Sequence, residues 1–319
     1  MNESTSTIRV SNHNNWPAVE LFECERIFLD LMAKHNVQQI FATTTLIAND
    51  KDEPFNAAIG HILDCLGSLP NRPDAAFDSL YRVIDQNLKQ YNHTQSSPMC
   101  DFVDSLFKSN PHEWSNITNI LAEHIPQQTA DYIASRILDC HIENNPPHTD
   151  RIKKRAIRSL GKLRYKEFYK TYLIENPSIP GTYYNLEYNK RRNAGRLMCL
   201  LLRQTTALTK VNTSSSILNL SIQSNLLSPE EKLKSLLELM ISTYRHERFH
   251  GDVFSPFRSS KASLKTYAHA YYALIVSYIV ILGILQLENK GGVTMPSILD
   301  ITNKCMNNFK SFFDSTLDD

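Results

Sequence analysis

Glycine is scarce in this sequence, with only nine glycines among 319 residues against 14 prolines. All-β folds and nucleotide-binding α/β folds consume glycine at tight turns and phosphate loops, because glycine adopts positive φ at little cost. Both classes are therefore disfavoured. The alternation of apolar and polar residues that a half-buried strand requires is also missing from the chain. A helical protein is the expected fold class.

Paired cysteines are missing too. Six cysteines stand singly, with no CxxC pair and no zinc-finger spacing: Cys24, Cys65, Cys100, Cys140, Cys199 and Cys305. This spacing argues against a structural zinc site built from cysteines. The polar N-terminus has no apolar signal core. We therefore expect a cytoplasmic protein whose thiols are all free, as in a reducing compartment.

One apolar run must be weighed as a membrane span. Residues 268–287 form an apolar stretch of about 20 residues, which is long enough to cross a bilayer. His269, Ser277 and Gln286 interrupt the run, and no basic cluster flanks one end. We expect a helix buried on all sides, partly by a second subunit, and no membrane contact.

Apolar residues recur at helical spacing through most of the chain, after a polar stretch at 1–15 that we expect to be disordered. The predicted helices are 18–35, 55–66, 74–91, 99–107, 114–124, 128–141, 149–172, 183–208, 228–250, 268–287 and 296–313. Ser228, Pro229 and Glu231 form a capping signal at one helix start. The expected fold is all-α.

Charge divides the chain although the formal net charge is only +1. Residues 1–150 hold nine basic and 20 acidic residues, a net −11, whereas residues 151–203 hold 14 basic and three acidic residues, a net +11. An Asn-Asn-Pro-Pro break at 144–147 lies between them. We expect an acidic helical region at 1–145 and a second helical domain at 146–319, with residues 73–92 adding a core helix to that domain.

The densest functional signal is residues 244–251, YRHERFHG, at the end of a predicted helix. One interpretation is a solvated helix end. Another is the zinc-protease pattern HExxH, in which His246 and His250 would bind zinc and Glu247 would activate water. Arg248 inside the pattern and Gly251 directly after it do not suit that reading.

The third interpretation is the pair Arg245 and His250, an R-x4-H pattern. Arg136 and His141 form a second match to the spacing but lack its surroundings. Those surroundings are an aromatic before the arginine, a polar residue after it, a closing glycine, a loop containing proline, and a long apolar helix. This pattern resembles the HEPN superfamily over residues 150–319, with a start as early as residue 77.

The resemblance implies a multi-helix bundle of HEPN type and a metal-independent endoribonuclease, with no cofactor, acting in cytoplasmic stress response or phage defence. Partners would then be RNA and an antitoxin or sensor protein. The chemistry is sound by itself, because RNA supplies its own 2′-OH nucleophile. An enzyme then needs a proton-transfer group, such as His250 assisted by His246, and a cation, such as Arg245. A catalytically silent binding module of the same fold is the alternative.

Helix geometry constrains this pair. Residues five apart differ by roughly 140° around the axis, so Arg245 and His250 do not share a face. They converge only if the helix unwinds at His250 or if two copies combine, and members of the HEPN superfamily pair in this way. We expect a homodimer with a composite active site, joined through the long apolar helix.

Further basic and aromatic residues are candidate RNA contacts. They are Tyr244, Arg248, Arg258, Lys261 and Lys265 around the motif, and Lys154, Arg155, Arg158, Arg191 and Arg192 within the basic segment 151–196. In that segment Tyr165, Phe168 and Tyr169 alternate with cations, an arrangement that suits base stacking. The competing expectation is that this segment docks on the acidic first half and masks a groove.

Overall fold

Helices account for the regular structure of this computed structural model, which describes residues 4–35, 40–49, 51–91, 97–142, 149–181, 183–184, 188–250 and 254–318. The first seven helices are α1 Thr5–Asn14, α2 Glu23–Lys34, α3 Glu53–Ser68, α4 Pro73–Leu88, α5 Pro98–Ser109, α6 Pro111–Glu123 and α7 Gln127–Asp139. The next three are α8 Thr149–Leu160, α9 Lys162–Tyr172 and α10 Tyr188–Arg203. The last four are α11 Pro229–Ser235, α12 Ser242–Phe249, α13 Leu264–Leu287 and α14 Met295–Phe313. Across these ranges the only β pairing is two isolated bridges to Tyr183, so the protein is all-α.

Two helices differ from the sequence-based expectation for local reasons. The predicted helix 149–172 is divided at Gly161, whose φ of 78° is costly for any residue with a side chain. Residues 5–14, expected to be disordered, form α1, which is capped by the Ser4 hydroxyl and buries no residue in the core. Helix α1 is therefore a peripheral helix.

The centre of the fold is α13. Its residues 267–285 are all buried, and α4 packs along it on one side while α14, α7, α2 and α5 cover the rest. Its few polar groups reach other elements: the Tyr271 and Tyr272 hydroxyls donate to the carbonyls of Pro70 and Leu121 at 2.8 and 2.9 Å. Within the described chain α13 is also the one helix long and apolar enough to cross a membrane. Its apolar surface is instead buried against this chain's own helices.

This burial corrects one expectation about assembly. Because residues 267–285 are covered by their own chain, this apolar part of α13 offers no surface to a second subunit. The prediction of a helix buried on all sides is correct, but the burial requires no second subunit.

The core also crosses the predicted domain boundary. Phe28 of α2 stacks on Tyr267 of α13 with ring centroids 3.9 Å apart. Phe77 of α4, which lies in the core helix expected at 73–92, packs against Tyr244 of α12 at 4.9 Å. One hydrophobic cluster contains buried residues from Cys24 to Leu317. Helices from both sides of position 145 thus share a core, and the two-part division does not describe how that core is built. The Asn-Asn-Pro-Pro break itself lies outside the described residues.

The cysteines behave as the sequence predicts. All six are free and buried. Burial raises the pKa of the Cys65 thiol to about 12, so this thiol stays protonated near neutrality.

Candidate functional site

The candidate site lies on a helix of three parts, which we call the motif helix: α11, a π-helical segment Leu236–Ile241, and α12. The predicted start is confirmed, since the Ser228 hydroxyl accepts from the Glu231 amide and the Glu231 carboxylate accepts from the Ser228 amide. π-Helical turns inside α-helices are frequently found at functional sites. Here the π segment directly precedes the residues that the sequence analysis singled out.

Arg248 faces the interior and binds α4. Its Nε and one terminal nitrogen donate to the two carboxylate oxygens of Asp78 at 2.8 and 2.5 Å, and the same terminal nitrogen lies 3.2 Å from Asp74. Burial opposes the charge, yet the hydrogen bonds to Asp78 and the nearby carboxylates raise the pKa of Arg248 above its usual value. Asp74 is fully buried and is also held by Arg72. These pairs give Arg248 a structural role rather than contact with a substrate.

Tyr244 is a core residue as well. It is 6% exposed and packs against Phe77, Tyr132 and His269, with ring centroids between 4.9 and 6.3 Å apart. Burial raises the pKa of its phenol, so it remains neutral. The structure therefore places Tyr244 behind the candidate site, where it supports α12.

Glu247 points to α7 and is held there by two partners. It forms an ion pair with Arg136 and accepts a hydrogen bond from the Tyr132 hydroxyl at 3.1 Å. A glutamate held in this way does not present a free base to a zinc-bound water. No group of three or more His, Cys, Asp or Glu side chains in the described residues is placed to hold a metal ion.

The two histidine rings of the motif are in contact and tilted by 53° to each other. The ring centroids of His246 and His250 are 4.2 Å apart, as expected for residues four apart on one helix face. His246 is buried, whereas His250 is exposed at the end of the helix. The His250 amide still donates to the His246 carbonyl at 3.1 Å, so the helix does not unwind at His250. Gly251, which the sequence analysis expected to end the helix, lies outside the described residues.

Arg245 differs from its charged neighbours Glu247 and Arg248. Its guanidinium lies between two aromatic rings, 5.3 Å from the centroid of Tyr81 and 4.8 Å from that of Phe249. In the described structure it has no acidic partner, and its Nε is buried without a hydrogen bond. Stacked arginines of this kind retain donors for phosphate oxygens.

Helix α8 packs against the motif helix and brings part of the basic segment 151–196 to it. Arg158 donates to the buried carboxylate of Glu238 at 2.7 Å, and Arg155 lies 3.8 Å from it. Lys154 points outward and is exposed. Tyr81 and Glu238 belong to this cluster, although the sequence analysis assigned a role to neither. The available signal was an acidic residue inside an otherwise apolar helical run at 236–241.

Other predicted contacts lie elsewhere. Arg191 pairs with Asp139 at 2.7 Å, a link between the basic segment and the acidic first half. Burial raises the pKa of the Asp131 carboxyl in α7, and the positive charges of Arg192 and Lys265 oppose that rise. Two further candidates, Arg258 and Lys261, are exposed in the segment before α13.

The aromatic residues of the basic segment do not form a stacking surface. Tyr165 and Phe168 are 6% and 0% exposed, so they belong to the core. Tyr169 is half-buried and stacks on His141 at 3.8 Å. Helical spacing turned these rings inward and left the charged residues between them outside. The expectation that they stack on RNA bases is therefore wrong for Tyr165 and Phe168.

A scan against protein-family models and searches of curated proteins and of solved structures found no match to this chain.

Proposed function

We propose that this protein is a metal-independent endoribonuclease of HEPN type in which Arg245 and His250 are the catalytic residues. One observation carries the proposal. In the motif, Glu247 and Arg248 are paired with residues of α7 and α4. Arg245 has no acidic partner among the described residues, and His250 is exposed one turn further on.

The reaction follows from the substrate's own chemistry. The 2′-oxygen of RNA attacks the adjacent phosphorus, the bond from phosphorus to the 5′-oxygen breaks, and a 2′,3′-cyclic phosphate and a 5′-hydroxyl form. His250 moves a proton at the attacking or leaving oxygen, since an imidazole exchanges protons near neutrality. Arg245 neutralises charge on the phosphorane oxygens. His246 contacts the His250 ring, with the centroids 4.2 Å apart, and would assist in holding that ring in place.

Two copies would supply one cleft. Residues 245 and 250 point to different sides of a helix that stays hydrogen-bonded to His250, so the arginine of one copy would meet the histidine of the other. Since α13 is buried, the pairing surface must lie beside the motif, where Phe249 and Phe254 are 44% and 56% exposed. The expected setting is cytoplasmic stress response or phage defence, with an antitoxin or sensor protein as regulator.

The first experiment measures RNA cleavage in EDTA by the wild type and by His250→Ala. Cleavage that persists in EDTA and is lost in the variant supports the proposal. Metal-dependent proteolysis would favour the zinc reading and refute it. Binding of RNA without cleavage would indicate a silent binding module, which also refutes the proposal.

A second experiment tests the composite cleft. Purified Arg245→Ala and His250→Ala proteins are each expected to be inactive, but a mixture should regain part of the activity. A mixed dimer has one cleft with an intact arginine from one copy and an intact histidine from the other. No recovery after confirmed subunit exchange, or a protein that light scattering shows to be monomeric, would refute the composite cleft.

A further inference from the structure

Three helices meet beside Arg245 and bring a phenol and a second guanidinium close to it. Tyr81 comes from α4, Arg155 from α8 and Arg245 from α12. The Arg245 guanidinium lies 5.3 Å from the centroid of the Tyr81 ring, and Arg155 donates to the Thr243 hydroxyl, two residues before Arg245 on α12. Burial raises the pKa of the Tyr81 phenol, and the positive charges of Arg245 and Arg155 oppose that rise. Tyr81 is 7% exposed.

Glu238 of the π segment holds this junction together. It is 1% exposed, and its carboxylate accepts from Arg158 at 2.7 Å, from the Ser97 hydroxyl and from the Cys100 thiol. A buried carboxylate needs such partners because burial of an unpaired charge is costly. Arg158 and the two neutral donors satisfy this carboxylate.

Arg155 is consequently a loosely held cation. Its closest approach to Glu238 is 3.8 Å, and among the described residues it donates one long hydrogen bond, to the Thr243 hydroxyl at 3.4 Å. Its side chain is 18% exposed, so solvent and a ligand can reach it. Burial lowers the pKa of Arg155 from its ordinary value, and Glu238 opposes that effect. A bound anion would stabilise the charged guanidinium of Arg155, as Glu238 does.

The charges around this point favour an anion. Arg155 and Arg158 share the single buried carboxylate of Glu238, whereas Arg245 lies over the Tyr81 ring without an acidic partner among the described residues. The exposed carboxylate of Asp85 adds one negative charge, which helps to raise the pKa of the Tyr81 phenol. The two guanidinium groups and the neutral phenol are all hydrogen-bond donors. Phosphate oxygens accept from this donor set.

We propose that Tyr81, Arg155 and Arg245 form one phosphate-binding site, with Arg158 and Glu238 as its support. The identity of the ligand rests on the proposed function, which makes the phosphate that of an RNA backbone. Tyr81 and Arg155 are then positioning residues that hold the phosphodiester against Arg245.

The test separates binding from cleavage. Its probe is a 2′-O-methyl RNA oligonucleotide, which keeps the phosphates but lacks the nucleophile, and its readout is Kd by fluorescence anisotropy at low salt. Arg155→Ala and Arg245→Ala should each weaken binding roughly tenfold, and each should lower the salt dependence by about one phosphate contact. Tyr81→Phe should weaken binding roughly threefold. Lys304→Ala, which removes one exposed charge on α14, is the control and should change Kd less than about twofold.

The double variant decides whether the two arginines share a phosphate. Its fold loss of affinity should be clearly smaller than the product of the fold losses of the two single variants, because the second substitution removes a contact already weakened. Arg155→Lys should restore part of the binding, and it replaces Arg155→Ala if thermal unfolding shows that the alanine variant is not folded.

The outcomes are distinct for the two proposals. Unchanged binding by folded Arg155→Ala, or losses that multiply fully, would overturn the shared site while leaving the ribonuclease proposal intact. A wild type that binds the probe but cleaves no RNA would refute the ribonuclease and leave the phosphate site standing. A wild type that binds no RNA would overturn both.

Discussion

Protonation of His269 should destabilise the protein in mild acid. This histidine of α13 is 8% exposed, and its Nδ1 lies 2.9 Å from the Thr129 hydroxyl. Its ring packs against Tyr132 and Tyr244, directly behind the candidate site. Its Nε2 is buried without a partner in the described structure, so no acceptor compensates a positive charge there.

The magnitude follows from linkage. Burial lowers the pKa of His269 from 6.5 to about 4. Because the folded value lies below the unfolded one, the unfolded chain binds the proton more tightly, and stability falls as pH drops from about 6.5 towards about 4. For these values the loss is about 2 kcal/mol between pH 7 and pH 5 and about 3 kcal/mol at pH 4.

The assay is urea unfolding followed by circular dichroism at pH 7, 6 and 5. The matched variant replaces both polar partners, His269→Phe with Thr129→Val, because removing a buried pair together leaves no unsatisfied group. At pH 7 its free energy of unfolding should stay within about 1 kcal/mol of the wild type. Between pH 7 and pH 5 it should lose about 2 kcal/mol less than the wild type.

The difference between the two proteins isolates His269, because other titrating groups are common to both. His141, whose pKa burial also lowers to about 4, adds to the acid sensitivity of each. If both proteins lose the same free energy over this range, His269 does not titrate as its burial requires and the reasoning is refuted.

Two further substitutions test the packing around the site. Arg248→Met should lower the free energy of unfolding by about 3 kcal/mol, since it leaves buried Asp74 with one fewer partner. The control is Arg245→Met, which breaks no ion pair among the described residues. An equal loss of stability in both variants would contradict the structural role of Arg248. Gly283→Ala should cost about 1 to 3 kcal/mol by thermal unfolding, because an added Cβ would lie 2.9 Å from the Trp114 ring. A neutral effect at Gly283 would show that the ring can move aside.

Much of the fold could be read from periodicity. Helices α3, α5 and α14 begin and end within about three residues of the predicted ranges, because their apolar stripes and flanking prolines are local signals. The break at Gly161 was missed since the apolar pattern continues across it, and only its positive φ divides α8 from α9. The extent of the shared core could not be predicted, because charge composition says nothing about which helices pack together.

The candidate site was predicted only as a set of residues. The spacing of His246 and His250 places them on one helix face, and their rings are in contact there. It gave no hint that Tyr244 and Arg248 face inward, since their partners Phe77 and Asp78 lie far away along the chain.

The sequence by itself determined that this protein is helical, where most helices begin and end, and which eight residues carry the densest chemistry. Those are local properties, governed by the pattern of apolar residues, by capping and by spacing. Only the tertiary structure decided that Glu247 and Arg248 are paired, that Arg245 has no acidic partner in the part of the chain described, and that α13 is covered by its own chain. Each depends on contacts between residues distant in sequence, which long-range packing selects.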